Sequence, residues 1–383
     1  MLAIINAKVA TPAGDFSRHV VLVENGKILE VGDIRVPAGA AVLDSHDGYL
    51  VPGLVDIHTQ VGLREEGLGA EGMDHNEATA AATPQLRAID GINPEDLAFA
   101  DALAAGVTTV ACAPGSGNVL GGQGVVLRTA GQAIDDMIIG PWGMKAALGE
   151  EPKSGRPGQS PATRMATAAV LREQLAKARE YENKRGDEKP PDRHLGYEAL
   201  LPVLNREVPL WVQANRADDI LTALRLAREF QVRLVILQAA EAHRVADRLR
   251  EAGAACVLGP LSGFRYRVEQ RGLDPAAPAR LLEAGVPVAL STGHPATGIG
   301  ALPVMAGLAI RFGLSEAEAL KCVTLYPAQM ASLQHRVGSI APGLDANLVL
   351  LRGRPFYLHS TPNMVMIEGK IAYGQCQADP PLA

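Results

Sequence analysis

The segment "PGLVDIHTQVG" (residues 52–62) decides the fold and raises the functional question. Its apolar residues run almost without interruption, which is typical of a strand buried on both faces of a sheet. His58 and Gln60 stand at the carboxyl end of that strand. Two imidazoles in these positions would form half a metal site, but the second position holds a carboxamide. The segment therefore predicts a buried strand with a polar end, and asks whether Gln60 replaces a lost ligand.

The middle of the chain, residues 53–338, alternates short apolar strands with amphipathic helices. Asn93 and Pro94 predict a helix start, Gly106 its end, and "RADDILTALRLAREF" has the apolar spacing of one helix face. This alternation indicates a parallel sheet covered on both sides, and about eight strands in roughly 290 residues favour a closed (β/α)8 barrel of the TIM type. The predicted strands are "GLVDIHT" (53–59), "VTTVACA" (107–113), one hidden within 123–140, "GMKAALG" (143–149), "PLWVQA" (209–214), "RLVILQA" (233–239), "ACVLG" (255–259) and "PVALST" (287–292).

Both ends of the chain are rich in β signals. Asn25-Gly26 separates two apolar runs, which is the strongest short-range hairpin pattern, and Glu368-Gly369 has a similar plan near the other end. Because both ends differ from the middle in the same way, we expect them to pair with each other. The predicted domains are a composite β-sandwich of residues 1–52 and 339–383, and a barrel of residues 53–338.

Composition excludes several classes of protein. The chain has 383 residues, 47% of them hydrophobic, and a net charge of −6, so it carries no signal for nucleic-acid binding. No apolar run of about eighteen residues predicts a membrane span, and no export signal is visible at the start. Four widely spaced cysteines without a C-x-x-C pair argue against structural zinc and disulfides and predict a cytoplasmic protein. They are Cys112, Cys256, Cys322 and Cys376.

Polar residues occupy the carboxyl ends of five predicted strands. In a barrel of this type the chemistry lies at that face, so we expect these residues to meet around one cavity. They are His58 and Gln60, Lys145, Gln213 and Asn215, Gln238, and Gly293-His294.

Six segments, spread over most of the chain, together form a distinctive pattern: "PGLVDIHT", "LRAIDGINP", "AGVTTV", "MKAALGE", "RADDILTALRLA" and "VGSIAPGLDANLVL". In these segments the chain resembles the amidohydrolase superfamily, and within it the imidazolonepropionase-related branch. The likeness covers nearly the whole chain. It implies a barrel with a composite β-sandwich, one or two divalent metals such as zinc, and hydrolysis of non-peptide carbon–nitrogen bonds.

The metal ligands that the resemblance implies are largely substituted. The first strand of the family carries His-x-His, where this chain has His58 and Gln60. The family histidine of the fifth strand falls on Gln213, with Asn215 at the companion position, and that of the sixth strand falls on Gln238. A carboxamide oxygen is a weak ligand for zinc, which prefers nitrogen, sulfur or carboxylate donors.

The eighth and fourth strands complete the comparison. The eighth-strand aspartate of the family, which binds metal and handles the proton of the attacking water, falls on Gly293. Lys145 matches a fourth-strand lysine of the branch, and its equivalence to the carboxylated bridging lysine of binuclear members stays open. Since a hydrolytic zinc centre needs about three protein ligands, we expect no bound metal, no cofactor, and little or no metal-dependent hydrolysis.

Other residues are weaker candidates, each with a structural alternative. His58, Lys145 and His294 are candidate catalytic residues, and a hydrogen-bonding or ion-pairing role is the alternative for each. Four residues are predicted to line the mouth of the barrel: Glu241, His243, Asn118 and Gln123. For Glu241 and His243 the alternative is a role at a helix start. Asp74, His75, Asn76 and Glu77 lie in the long loop after the first strand and are candidate replacement ligands.

Three functions follow from this sequence. The first is an amidohydrolase-lineage protein with a degenerate metal centre. The second is a non-catalytic subunit, a pseudoenzyme that binds a small polar ligand in the barrel mouth or serves as a scaffold. The third is a metal-independent enzyme that uses Lys145, His58 or His294 in proton transfer or imine chemistry. We expect a homo-oligomer or a heteromer with an intact paralogue, and no nucleic-acid or membrane partner.

Overall fold

The computed structural model describes residues 1–11, 13–77, 79–154, 158, 160–262, 265 and 267–374. The strands are β1 (Leu2–Ala10), β2 (Phe16–Glu24), β3 (Lys27–Gly32), β4 (Ala41–Asp44), β5 (Tyr49–Pro52), β6 (Leu54–Thr59), β7 (Val107–Cys112), β8 (Leu120–Arg128), β9 (Ile138–Ala147), β10 (Leu210–Ala214), β11 (Leu234–Gln238), β12 (Ala255–Leu258), β13 (Val288–Leu290), β14 (Leu348–Leu351), β15 (Pro362–Ile367) and β16 (Lys370–Gly374). The α-helices are α1 (Leu97–Ala104), α2 (Ile134–Met137), α3 (Glu150–Ser154), α4 (Arg164–Lys184), α5 (Leu195–Leu204), α6 (Ala217–Phe230), α7 (Ala246–Glu251), α8 (Ala277–Glu283), α9 (Leu302–Arg311), α10 (Glu316–Cys322) and α11 (Leu325–Met330).

Strands β6 to β13 pair in chain order and form the predicted barrel. The predicted barrel is confirmed with one difference. The strand hidden in 123–140 is β8, and it runs antiparallel to both β7 and β9, whereas the other neighbours pair in parallel. A short loop joins β7 to β8, so no helix covers this step as it would in a regular (β/α)8 unit. That loop, residues 113–119, therefore remains at the cavity end of the barrel.

Helices pack outside the barrel through apolar faces. In α6, Ile220, Ala223 and Ala227 are buried at three- and four-residue spacing, which confirms the predicted amphipathic helix. The predicted start of α1 at Asn93 is wrong. The helix begins at Leu97, and Asp96 is its N-cap, because the Asp96 side chain accepts from Ala98 N while Asn93 Oδ1 accepts from Glu95 N in the preceding turn.

The two ends of the chain form a second sheet, in the order β16-β15-β14-β5-β1-β2-β3, with β4 beside β1. Val349 of β14 pairs with Val51 of β5, which confirms that the termini pair. The sheet curls around its own core, since Ile28 N donates to Leu344 O at 2.9 Å and Ile28 packs in one cluster with Met366. Residues 375–383 of the predicted domain, with Cys376, lie outside the described residues.

The described cysteines are buried free thiols: Cys112, Cys256 and Cys322. Burial raises the pKa of the Cys112 thiol to about 12, so it stays protonated and behaves as a small apolar side chain. Among the helices of the described chain, none has the length and apolar character needed to cross a bilayer.

The carboxylate of Asp56 joins β6 to the end of β13, the two strands that terminate the hydrogen-bonded order of the barrel. It accepts hydrogen bonds from Ser291 Oγ at 2.6 Å, Thr292 N at 3.0 Å and Thr292 Oγ1 at 2.5 Å. Ser291 Oγ also lies 2.9 Å from His58 O. Burial raises the pKa of Asp56, and the hydroxyl and amide donors oppose this effect. A satisfied buried carboxylate thus holds the seam on which His58 and Gln60 stand.

Replacing Asp56 with Asn tests this seam. The amide NH2 of Asp56→Asn would face the Thr292 N–H or a hydroxyl donor, and a buried donor would lose its acceptor. We expect the free energy of unfolding to fall by about 3 kcal/mol, measured by urea denaturation. The exposed Asp33→Asn is the matched control. Equal stability of the two variants would show that Asp56 does not hold the seam.

Candidate functional site

A cavity of about 310 Å³ opens at the carboxyl ends of the barrel strands. Six of the residues singled out at the strand ends line it: His58, Gln60, Gln213, Gln238, Gly293 and His294. The remaining lining residues are Thr59, Arg64, His75, Asn76, Ser116, Gly117, Glu151, Ser154, Arg267, Pro295 and Ala296. The convergence of several strand ends on one cavity agrees with the barrel geometry. The cavity also takes residues from the segments after β6, β7, β12 and β13 and from helix α3.

Lys145 lies fully buried beneath this cavity and does not line it. Its Nζ donates to Ser116 Oγ at 2.5 Å. Ser116 Oγ in turn donates to Gln213 Oε1 in a short contact. Among the described residues Lys145 forms no ion pair, and its hydrogen-bond partner there is one neutral hydroxyl. The carboxylate of Glu151 favours the ammonium without contacting it. Ser116 lines the cavity and contacts Lys145, so it connects the buried lysine to the cavity.

Burial depresses the pKa of two bases here. The pKa of Lys145 falls from its ordinary value of 10.5 to about 8, chiefly through desolvation. The pKa of His58 falls to about 3, because the imidazole is desolvated and Lys145 repels its positive form. His58 is therefore neutral at pH 7, and its ring stacks over Trp142 with centroids 6.3 Å apart. Lys145 exchanges its proton near neutral pH, which suits a general base.

The loop after β6 clamps the loop that carries Ser116. Gly115 N donates to His75 O at 2.7 Å, and Gly117 N donates to Asn76 Oδ1 at 2.9 Å. A Cβ atom on Gly115 would lie 2.5 Å from Asn76 Oδ1, so this close approach requires glycine. His75 and Asn76, which the sequence offered as replacement ligands, line the cavity and brace Ser116. The other two candidates, Asp74 and Glu77, are exposed and lie outside the lining.

Asn215 lies behind the cavity wall and orients Gln238. Its Nδ2 donates to Gln238 Oε1 at 3.0 Å and to Glu269 Oε1 at 3.1 Å. Glu269 Oε2 accepts from Glu150 N at 2.9 Å, and burial raises the pKa of Glu269. The Glu269 carboxylate therefore fixes Asn215, which in turn orients the carboxamide of Gln238, and this buried network keeps the wall polar.

The four residues predicted to line the mouth lie away from the cavity. Glu241 Oε2 accepts from Ala217 N, the first residue of α6, at 2.9 Å, which is the helix-start alternative. His243 follows it in a short 3₁₀ helix. Asn118 Nδ2 donates to Thr83 Oγ1 at 2.9 Å in a buried contact that braces the β7–β8 loop. Gln123 pairs with Met144 in the ladder between β8 and β9.

His294 and Gly293 complete the wall after β13. His294 is 1% exposed, and neither ring nitrogen has a hydrogen-bond partner among the described residues. Its Nε2 lies 3.8 Å from Glu66 Oε1, and burial lowers the pKa of His294. A Cβ atom on Gly293 would approach other atoms no closer than 3.6 Å. The space for an acidic side chain therefore exists, although φ of +58° disfavours most residues there.

The donors around the cavity do not fit a divalent cation. Within the described part of the chain, no three His, Cys, Asp or Glu side chains lie together in a group that could hold a metal ion. At the first-, fifth- and sixth-strand positions where the resemblance implies metal ligands, the chain offers one imidazole, His58, and the carboxamides of Gln60, Gln213 and Gln238. The Lys145 ammonium beneath them repels a cation. A divalent ion at those positions would be desolvated without a carboxylate among its ligands, since the Glu151 carboxylate of the lining is paired with Arg267.

Comparison with known proteins settles the family. The model of the amidohydrolase family matches residues 214–372. An imidazolonepropionase from Anaeromyxobacter sp. (strain K) is 30% identical over 399 residues, which cover 91% of this chain and 89% of that protein. The chain belongs to the amidohydrolase superfamily. This confirms the resemblance seen in its first-strand and later motifs.

Two further proteins are similar to this amidohydrolase-superfamily chain. An amidohydrolase from Thermotoga maritima MSB8 superposes with a TM-score of 0.95 at 39% identity, and the match covers 98% of this chain and 100% of that one. The amidohydrolase tasK from Hapsidospora irregularis is 27% identical over 386 residues, which cover 91% of this chain. The chain spans 39% of the length of that relative.

Lys145 gives a pH-dependent test of this geometry. The pKa of Lys145 is about 8 in the folded chain and 10.5 for an ordinary lysine. Below pH 8 the buried ammonium therefore destabilises the native chain by about 3 kcal/mol, compared with a lysine that keeps its ordinary pKa. The penalty disappears as the pH rises toward 10.5, where the unfolded lysine also loses its proton. We expect Lys145→Met to raise the free energy of unfolding at pH 7 and to lose this advantage at pH 10.

The measurement is urea denaturation at both pH values, with the exposed Lys370→Met as control. The control should give no pH-dependent gain. A Lys145→Met chain that is destabilised equally at pH 7 and pH 10 would mean that the native ammonium is well compensated and that its pKa is not depressed.

Proposed function

We propose that this chain is a metal-free member of the amidohydrolase superfamily, whose barrel cavity binds a small carboxylate-bearing molecule. Hydrolysis by a metal-bound water is not its activity. The observation that carries the proposal is the Lys145–Ser116–Gln213 contact. A buried cation and its hydrogen-bonding partners occupy the region where the family's ligands would converge.

The chemistry of the donors supports the metal-free part of the proposal. His58 is the single imidazole among the first-, fifth- and sixth-strand ligand positions, and Gly293 supplies no proton acceptor. With the Lys145 ammonium beneath His58, a zinc ion would meet repulsion and weak amide oxygens. A water on such an ion would not have its pKa lowered toward about 7.

Charge in the cavity supports an anionic ligand. Arg64 is half-buried in the lining and forms no ion pair within the described chain. Arg267 is balanced by Glu151, 2.7 Å away. Arg64 and Lys145 therefore leave the site positively charged at neutral pH. An arginine binds a carboxylate through paired charge-assisted hydrogen bonds.

The size of the cavity limits the ligand. A volume of about 310 Å³ holds about ten water molecules at the share each takes in the liquid. A compact acid with roughly that number of non-hydrogen atoms fits. The carboxamides of Gln60, Gln213 and Gln238 can hydrogen-bond its neutral polar groups.

Metal content tests the first half of the proposal. Chain purified from medium supplemented with zinc and manganese should contain far less than one equivalent of either metal per chain by inductively coupled plasma mass spectrometry. A variant with Gln60→His, Gln213→His, Gln238→His and Gly293→Asp restores the family donors and should retain more. Stoichiometric metal in the unaltered chain would overturn the metal-free proposal.

Thermal-shift titration with small carboxylic acids and their neutral amides tests the second half. We expect the acids to stabilise the chain, the amides to do so less, and Arg64→Gln to weaken acid binding about tenfold. The control is Arg18→Gln, because Arg18 lies on β2 in an exposed pair with Asp47. Equal shifts from acids and amides, or no effect of Arg64→Gln, would contradict an anionic ligand.

A further inference from the structure

We propose that Ser116 is a nucleophile and Lys145 its general base, so that the chain cleaves amides or esters of small carboxylic acids through a covalent acyl-serine. This inference rests on the proposed function for the substrate's acidic group. It goes further in assigning a metal-independent reaction to the same cavity.

Ser116 contacts Lys145 and is accessible from the cavity. Ser116 Oγ lies 2.5 Å from Lys145 Nζ, within the reach required of a nucleophile and its base. Ser116 lines the cavity, whereas Lys145 is fully buried behind it. A bound carbonyl group therefore meets the serine oxygen before the lysine nitrogen. This order favours an acyl-serine over an imine on Lys145.

The complete burial of Lys145 is unfavourable for the stability of the fold. A lysine without an ion pair in the described chain is buried completely, and its only hydrogen-bond partner there is one hydroxyl group. Such a residue destabilises the fold, and perturbed buried bases of this kind gather at functional sites. Its depressed pKa of about 8 leaves a useful fraction of neutral amine near pH 7.

The residues around Ser116 hold it in place and offer a hydrogen-bond donor beside it. His75 O and Asn76 Oδ1 hold the amides of the glycines on either side of it, so the loop is braced. Gln213 touches Ser116 through Oε1, and its buried Nε2 has no partner among the described residues. That N–H group can donate to the carbonyl oxygen as negative charge develops, the role of an oxyanion-hole donor.

The reaction balances with water as the only co-reactant. Ser116 Oγ bonds to the carbonyl carbon while its proton passes to neutral Lys145 Nζ. The C–N or C–O bond then breaks, and the Lys145 ammonium returns that proton to the departing amine or alcohol. Water attacks the acyl-serine, gives a proton to Lys145, and releases the acid as that proton returns to Ser116 Oγ.

The probe is mono-4-nitrophenyl succinate, whose acyl group carries a carboxylate, compared with neutral 4-nitrophenyl acetate. We expect a burst of about one equivalent of nitrophenolate per chain from the succinate, and a succinyl group mapped to Ser116 by peptide mass spectrometry. The burst rate should rise with pH and level off above about 8, where Lys145 is neutral.

Variants separate catalysis from folding. Ser116→Ala and Lys145→Arg should each lower the burst rate by about 100-fold or more, and Ser116→Cys should keep a covalent adduct. Ser45→Ala is the matched control, because Ser45 is an equally buried serine in the terminal sheet and has no lysine contact in the described structure. Circular dichroism melting verifies that each variant is folded.

Two outcomes would overturn the inference. One is labelling of Lys145 in place of Ser116, or borohydride trapping of a carbonyl compound on Lys145. The other is no adduct at Ser116 in a chain that still binds small acids in thermal-shift titration. The second result would leave the metal-free, anion-binding proposal intact, so the two proposals fail separately.

Discussion

The carboxylate of Asp56 holds together β6 and the end of β13, and the site depends on this contact. The hydroxyls of Ser291 and Thr292 and the Thr292 amide donate to it inside a fully buried seam. Gln60 N donates to His294 O at 3.0 Å just above it. The seam therefore fixes one wall of the cavity, with His58, Gln60 and His294, independently of any metal ligand. The barrel closes through Asp56, Ser291 and Thr292, which are not among the positions where the resemblance implies metal ligands.

The centre of the cavity differs from a metal centre in its charge. A metal centre has a dication that anionic and imidazole donors neutralise. In the proposed metal-free cavity, Lys145 has a single positive charge, and its hydrogen-bond partner in the described chain is the hydroxyl of Ser116. Burial disfavours the Lys145 ammonium at neutral pH, and its contact with Ser116 compensates only in part. A cost of this kind at the bottom of a polar cavity is typical of a site kept for function. The Trp142 and Trp211 rings stack with centroids 4.4 Å apart, and Trp211 is the ladder partner of Lys145 on β10.

Much of the fold was predictable because it depends on periodic patterns. Apolar runs predicted the barrel strands, and the apolar spacing of helix faces predicted the helices between them. Hairpin signals at both ends of the chain predicted that the termini pair. The reversal of β8 was not predictable, since an apolar run carries no sign of its direction. The site was predictable where strand ends converge, as for Gln213 and Gln238. Ser116 was missed, because one serine between two glycines has no spacing signature. Its position directly after the second strand was the available signal. The burial of Lys145 beneath it arises only from the three-dimensional packing.

The most direct test of a lysine-centred, metal-free cavity is a crystal structure of the purified chain soaked with zinc and a small carboxylic acid. Anomalous scattering at the zinc edge would locate any metal between His58, Gln213 and Gln238. We expect no anomalous peak there, an acid contacting Arg64, and Ser116 in contact with Lys145. A zinc ion bound to His58 at about 2.0–2.1 Å, with Lys145 displaced or carboxylated as its ligand, would contradict it.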